Sequence, residues 1–173
     1  MPILVSDTSV LIDLERAQLL EEMFLLPFGF AVPDLLYERE LAGELGDRLV
    51  ALGLRVEALT PAELGRAVDV RRQNARLSFP DTFAFALAKS RQWTLLTGDG
   101  GLRELATAER VNMHGVLWVF DQFSDGVYVS FDRLHAGLST VFGHPRCRLP
   151  AGEVKRRLVR YAEHRDSRKA GEG

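Results

Sequence analysis

The chain has 173 residues, 46% of them hydrophobic and 27% charged, an ordinary balance for one compact domain with a short appendage. Its net charge of −2 is uneven: from Arg146 onward nine Lys/Arg face four Asp/Glu, whereas the remainder holds 13 basic and 20 acidic residues. No apolar run is long enough to span a bilayer, no secretory pattern opens the chain, and one cysteine, Cys147, rules out an internal disulfide, so a reducing cytoplasm is the simplest home.

Ile3 to Ser6 reads as a buried parallel strand that ends in Asp7-Thr8-Ser9. Val10, Leu11, Leu14, Leu19, Leu20, Met23 and Phe24 then recur at helical spacing. Phe28 to Val32 forms a second strand, stopped by Pro33-Asp34, where a new helix starts. A third strand follows at Leu54–Leu59. Thr60-Pro61-Ala62-Glu63 is a capping box with proline at the first helical position, and it opens a helix to about Arg76. Ser78-Phe79-Pro80-Asp81 repeats that grammar before an alanine-rich helix through Lys89. Trp93–Thr97 is the next strand, followed by Gly98-Asp99-Gly100-Gly101, a helix from Leu102 to Arg110 and a last strand within Val111–Leu117.

Strands alternating with helices predict an α/β fold with a central parallel sheet covered on both faces. After Asp121 the pattern turns helical, with turns at Asp125-Gly126 and Gly143-His144-Pro145. Val154–His164 reads as a basic helix with Arg156, Arg157 and Arg160 outward and Leu158 and Tyr161 inward, and Ser167–Gly173 as a frayed end. The expected organisation is an α/β part over 1–120 and a helical C-terminal extension over 121–173 ending in a basic tail.

The acidic residues fall where such a sheet binds ligands, beyond the carboxyl ends of its strands. Asp7 follows the first strand and Asp99 the fourth. Asp81 sits in the first turn of a helix, and Glu38 and Glu40 lie in the helix after the second strand. Carboxylates gathered in one place repel, and a hard cation such as Mg²⁺ or Mn²⁺, which prefers oxygen ligands, relieves that repulsion. No cysteine pair or histidine cluster offers a zinc site. Each aspartate also has a purely local role open to it: Asp7 as a helix cap, Asp81 in the capping box with Ser78, Asp99 in a turn. Both glutamates suit a solvated helix face equally well.

"VSDTSVLIDL", "VPDLLYEREL", "SFPDTFAFALA" and "LLTGDGGLRELA" resemble, in order, the four acidic motifs of PIN domains. The resemblance covers Ile3–Leu117 and is closest in style to the VapC-like toxins of type II toxin–antitoxin pairs. It implies a Rossmann-like sheet, a Mg²⁺ or Mn²⁺ site, cleavage of single-stranded RNA, a homodimer and, for a toxin, an antitoxin protein as partner. By position, Asp7, Glu38, Asp81 and Asp99 become the catalytic and metal-binding residues. Glu40 competes with Glu38: distance from the preceding strand favours Glu38, the following Leu41 favours Glu40. Ser9 and Thr97 match the hydroxyl positions that flank the family's metal site. His114 reads as a packing or turn residue.

Three rivals stand beside this reading. A haloacid-dehalogenase-like phosphatase needs a second acid two residues after its first aspartate, and position 9 is serine. A receiver domain needs a lysine after a late strand, where this chain has Gly98-Asp99-Gly100. The third is a PIN-fold module that binds RNA or protein without cleaving.

Overall fold

The sheet is built from five short strands, β1 (Ile3–Ser6), β2 (Gly29–Pro33), β3 (Arg55–Glu57), β4 (Thr94–Leu96) and β5 (Met113–His114). They lie in the order β3-β2-β1-β4-β5, and every neighbouring pair is parallel. The computed structural model describes residues 1–171, and the side chains of residues 1–165. Val5 stands between Ala31 and Leu95 in the register, and all three are fully buried. A parallel strand covered on both faces has no solvent side, which is why β1 shows the apolar run Ile3-Leu4-Val5 and β4 the pair Leu95-Leu96 instead of an apolar/polar alternation.

The order of the strands decides where a ligand can sit. From β1 the chain moves outward through β2 to β3, then returns to the other side of β1 with β4 and continues to β5. Connections therefore leave β1 and β4 toward opposite sides, and the crevice beyond the carboxyl ends of these two strands is the topological switch point.

Among the described residues ten α-helices connect and follow the strands: α1 (Thr8–Arg16), α2 (Leu20–Met23), α3 (Asp34–Leu36), α4 (Glu44–Leu52), α5 (Pro61–Gln73), α6 (Phe79–Arg91), α7 (Gly100–Ala108), α8 (Val116–Asp125), α9 (Phe131–Gly143) and α10 (Ala151–Gly171). The chain divides into two compact units, one of Met1–Leu11 with Pro27–Gly115, the other of Ile12–Leu26 with the residues from Val116 onward. In the first, α6 packs against β1, β2 and β4, and its residues Thr82–Ala88 are all buried. Alanines at 84, 86 and 88 let neighbours approach on every side, so this helix has little amphipathic contrast although it forms readily. In the second unit Val119, Phe120, Phe123, Leu134, Leu138, Val141, Val154 and Tyr161 are buried at helical spacing on α8, α9 and α10.

The last strand is confined to Met113–His114, because the apolar residues Val116, Val119, Phe120 and Phe123 repeat with helical period and start α8 at Val116. The end expected to fray from Ser167 continues α10 to Gly171; residues 172–173 lie outside the described ones. The basic face of that helix is largely engaged within its own unit. Arg157 clasps Asp121 with Nε to Oδ1 at 2.8 Å and Nη2 to Oδ2 at 2.7 Å, and also binds Glu153, which Arg156 reaches too.

The segment after β2 was expected to be plain helix. Instead α3 passes into a π-helical stretch, Tyr37–Leu41, and the chain breaks at Gly43, whose φ of 122° suits glycine, before α4 begins. Gly46 secures the junction: a Cβ there would lie 2.5 Å from the Leu41 carbonyl oxygen and 2.8 Å from Tyr37 Oη. Only a residue without a side chain lets α4 approach the π-helical turn that carries Glu38 and Glu40.

Candidate active site

Asp7 leaves β1 directly into the switch point. Its backbone N–H still follows the sheet, donating to the Leu96 carbonyl at 2.9 Å, while its side chain caps α1 through the Val10 N–H at 3.2 Å. Ser9 Oγ donates to Asp7 Oδ1 at 2.7 Å, and Thr97 Oγ1 donates to Oδ2. The residue is only 2% exposed, and burial pushes its pKa up to about 6 despite these three donors, with the Asp81 charge adding to the rise.

Thr97 ties the two central strands together at this point. Besides donating to Asp7 it accepts the Asp99 N–H at 3.0 Å, so one hydroxyl links the residues that follow β1 and β4. Ser9 makes the second tie, accepting the Gly98 N–H at 3.4 Å. A Cβ on Gly98 would come within 3.3 Å of Ser9 Oγ, which explains a small residue in that loop.

Asp99 and Asp81 both perform the local roles open to them. Asp99 Oδ1 accepts the Leu102 N–H at 2.9 Å and caps α7. Asp81 completes the capping box of α6, its Oδ2 taking the Ser78 N–H at 3.4 Å while Ser78 Oγ takes the Asp81 N–H at 3.2 Å. Each cap uses one carboxylate oxygen. Asp81 Oδ1 and Asp99 Oδ2 accept no hydrogen bond among the described residues. Capping and site formation are therefore compatible uses of the same side chain.

Burial raises the Asp81 pKa, the Ser78 bonds oppose it, and the charges of Asp99 and Glu40 raise it further. Asp7 is coupled to Asp81, and Asp81 to Asp99 and Glu40, so four carboxylates from four segments share one electrostatic neighbourhood. Glu38 and Glu40 are both exposed, and the Glu40 charge is among the larger ones acting on Asp81. The two glutamates lie in the π-helical stretch, whose altered turn was invisible to a reading based on 3.6-residue periodicity.

A structural acid in the same unit looks different. Glu63, 4% exposed, also suffers burial, but Arg91 donates to it from Nε at 3.0 Å and the Thr60 N–H at 2.8 Å, and its pKa is lowered overall. Among the described residues no lysine or arginine forms an ion pair with Asp7, Asp81 or Asp99. Buried or half-buried carboxylates without a counter-ion at a switch point make this the candidate site. His114, at the end of β5, is partly buried and has its pKa lowered by that burial.

The donor set is entirely oxygen, which suits a hard divalent cation. Among the described residues no three His, Cys, Asp or Glu side chains stand close enough together to hold a metal ion as placed. The two uncommitted oxygens on Asp81 and Asp99 are what a cation would draw inward.

A parallel sheet with acidic residues at its switch point defines a Rossmann-like α/β domain of the nuclease type. A family profile described as PIN domain matches residues 3–161, and the chain belongs to the PIN-domain family. Members are generally nucleases, and the fold implies nucleic-acid binding. The match runs past Leu117, where the four acidic motifs end, so α8, α9 and the first part of α10 are part of the family pattern. No curated protein matches the chain. Among the described residues no helix is long and apolar enough to cross a membrane.

Proposed function

We propose that the chain is a metal-dependent endoribonuclease that hydrolyses phosphodiester bonds of single-stranded RNA. The observation that carries this is the placement of Asp7 and Asp99 directly beyond β1 and β4, with Asp81 at the start of α6 and Glu40 in the π-helical stretch acting in the same neighbourhood, and no cation pairing them among the described residues. Asp7, Asp81 and Asp99 would hold a Mg²⁺ or Mn²⁺ ion, with Glu40 taking the place expected of Glu38. The ion would offset the carboxylates' mutual repulsion and the charge that develops on the phosphodiester, and would lower the pKa of a bound water.

The chain's own residues prepare the position. Thr97, Ser9 and the Val10 N–H orient the Asp7 carboxylate, and burial keeps water from screening it. The N-terminal ends of α1, α6 and α7 all face carboxylates through caps, which spreads the negative charge over three helix dipoles. In this reading residues 1–120 carry the nuclease and 121–173 the extension. Incubating purified protein with a panel of single-stranded RNAs, with Mg²⁺, Mn²⁺ or EDTA, tests it: metal-dependent cleavage supports the proposal, and equal cleavage in excess chelator sinks it.

A VapC-like toxin role, in the cytoplasm, with a homodimer and an inhibitory antitoxin, rests on the family resemblance. An antitoxin arginine reaching the uncompensated carboxylates would block the site by a charge-assisted pairing. Sedimentation across micromolar concentrations tests the dimer, and growth arrest on expression, relieved by the adjacent gene product, tests the toxin.

The second reading, a PIN-fold module that binds without cleaving, draws on one observation. Asp7, Asp81 and Asp99 each have a capping bond, and no three acids converge tightly. Metal-independent RNA binding with no cleavage by any tested ion would favour it.

A further inference from the structure

Phe79 is the first residue of α6, and 39% of it is exposed. The cap needs Ser78 and Asp81, and Pro80 suits the helix start, but nothing in that start calls for an aromatic ring. The ring stacks on Phe83 with centroids 6.0 Å apart and planes 28° apart. Two guanidinium groups from other segments lie over the pair. The Arg71 carbon, from α5, is 5.4 Å from the Phe79 centroid, and the Arg39 carbon, from the π-helical stretch, is 5.8 Å from Phe79 and 5.5 Å from Phe83.

Among the described residues neither arginine has an acidic partner. Arg16, Arg55, Arg66, Arg91, Arg133 and Arg157 all pair with Asp or Glu, whereas Arg39 and Arg71 form no ion pair among the described residues. Arg71 Nε is buried with no acceptor at all. What calls for an anionic oxygen from outside the chain is the pairing itself: two guanidinium groups without a carboxylate partner beside a partly exposed aromatic ring. The position narrows the choice: Phe79 lies in the same helical turn as Asp81, and Arg39 directly precedes Glu40.

We propose that Phe79, Arg39 and Arg71 form a nucleotide-holding platform that positions single-stranded RNA beside the carboxylates. A base stacks on the exposed aromatic and guanidinium surface, and the adjoining phosphate takes the free N–H groups of the two arginines. This separates labour within the site. The platform grips one nucleotide by charge and π-surface, and the acidic residues act on the neighbouring phosphodiester. Stacking tolerates any base, so the platform supplies affinity and register more than sequence preference. The proposal rests on the ribonuclease reading for its ligand.

Fluorescence anisotropy of labelled uridine and adenosine 12-mers in EDTA, where no cleavage occurs, tests it with the full chain. Phe79→Ala should weaken binding about tenfold, and Phe79→Leu, which keeps an apolar contact with Phe83, should do the same. Arg39→Gln/Arg71→Gln should flatten the plot of log affinity against log salt by about 0.7, the contribution of one phosphate on a single strand. Arg39→Lys/Arg71→Lys should keep that slope while losing affinity, because an ammonium cannot stack. Wild-type affinity and slope in both Phe79→Leu and the double glutamine variant, with wild-type protein cleaving the same RNA, would overturn the platform and leave the nuclease standing. Wild-type protein that neither binds nor cleaves overturns both. Binding that these substitutions weaken, without cleavage in Mg²⁺ or Mn²⁺, supports the platform and overturns the nuclease.

Discussion

Replacing Asp7 with asparagine should stabilise the metal-free protein at pH 8 and not at pH 4. In the folded chain the Asp7 pKa is raised to about 6 from 3.8, burial being the main cause. Between those values the folded chain holds a proton that the unfolded chain releases, so this residue makes stability fall as pH rises through the window. The penalty is absent below about pH 3.8 and complete above about pH 6. Roughly two pKa units at about 1.36 kcal/mol each give a penalty on the order of 3 kcal/mol for holding the charge at pH 8.

Asparagine removes the charge but disturbs one hydrogen bond. Thr97 Oγ1 already accepts the Asp99 N–H, and its own hydrogen would face the new amide N–H₂. That loss costs about 1 kcal/mol. The net gain at pH 8 is about 2 kcal/mol, which for a chain of this size raises Tm by roughly 4–8 °C. At pH 4 wild-type Asp7 is already protonated in the folded state, so Asp7→Asn should be equal or about 1 kcal/mol less stable. Thermal melts followed by circular dichroism in EDTA at both pH values measure this. A variant no more stable than wild type at pH 8, or stabilised equally at both, would refute the reasoning.

Added Mn²⁺ should raise the Tm of wild type by more than that of Asp7→Asn, since only binding to the folded state stabilises; equal shifts would remove Asp7 from the metal site. Glu40→Gln should lower RNA cleavage at least about tenfold with little effect on folding, while Glu38→Gln stays near wild type; the opposite ranking in initial rates restores Glu38. Thr97→Val should cost roughly 10–100-fold in activity by freeing the Asp7 carboxylate, with a melt close to wild type apart from the lost bond. Gly46→Ala should destabilise by about 1–3 kcal/mol, because its Cβ would press on the Leu41 carbonyl 2.5 Å away, and urea unfolding reads this directly. Arg157→Gln should lower stability by about 2 kcal/mol in the same assay through loss of its two bonds to Asp121, while Arg156→Gln leaves it unchanged.

Much of the sheet was legible because its strands are buried on both faces and bounded by Pro, Gly or Asp. All five were anticipated near their observed places, and both capping boxes form as their spacing demands. The strand order was not legible, since period-2 and period-3.6 patterns say nothing about which side of β1 a later strand joins. That order is what turns Asp7 and Asp99 into neighbours. β5 could be placed only somewhere within Val111–Leu117, because Val116 and its apolar successors suit either a strand or a buried helix over a short window. The π-helical turn at Tyr37–Leu41 was hidden for a related reason: it departs from the period used to place Glu38 and Glu40, of which Glu40 is among the larger charges acting on Asp81.

The basic face of α10 shows the limit of reading charge in one dimension. Arg156, Arg157 and Arg160 do cluster, but Asp121, 36 residues before Arg157, meets Arg157 and Arg160 in space, and Arg156 pairs with Glu153. Conversely, Arg39 and Arg71 drew no notice in the sequence, being 32 positions apart in separate elements, and their shared stacking on Phe79 emerges only from the fold.

The most direct test of the central claim is the initial rate of cleavage of one single-stranded RNA by wild type, Asp7→Asn and Asp99→Asn at a fixed Mn²⁺ concentration, with an EDTA control. The account predicts cleavage by wild type that vanishes in EDTA and in both variants, each of which remains folded. Wild-type turnover in either variant, or unaltered cleavage in EDTA, would contradict it.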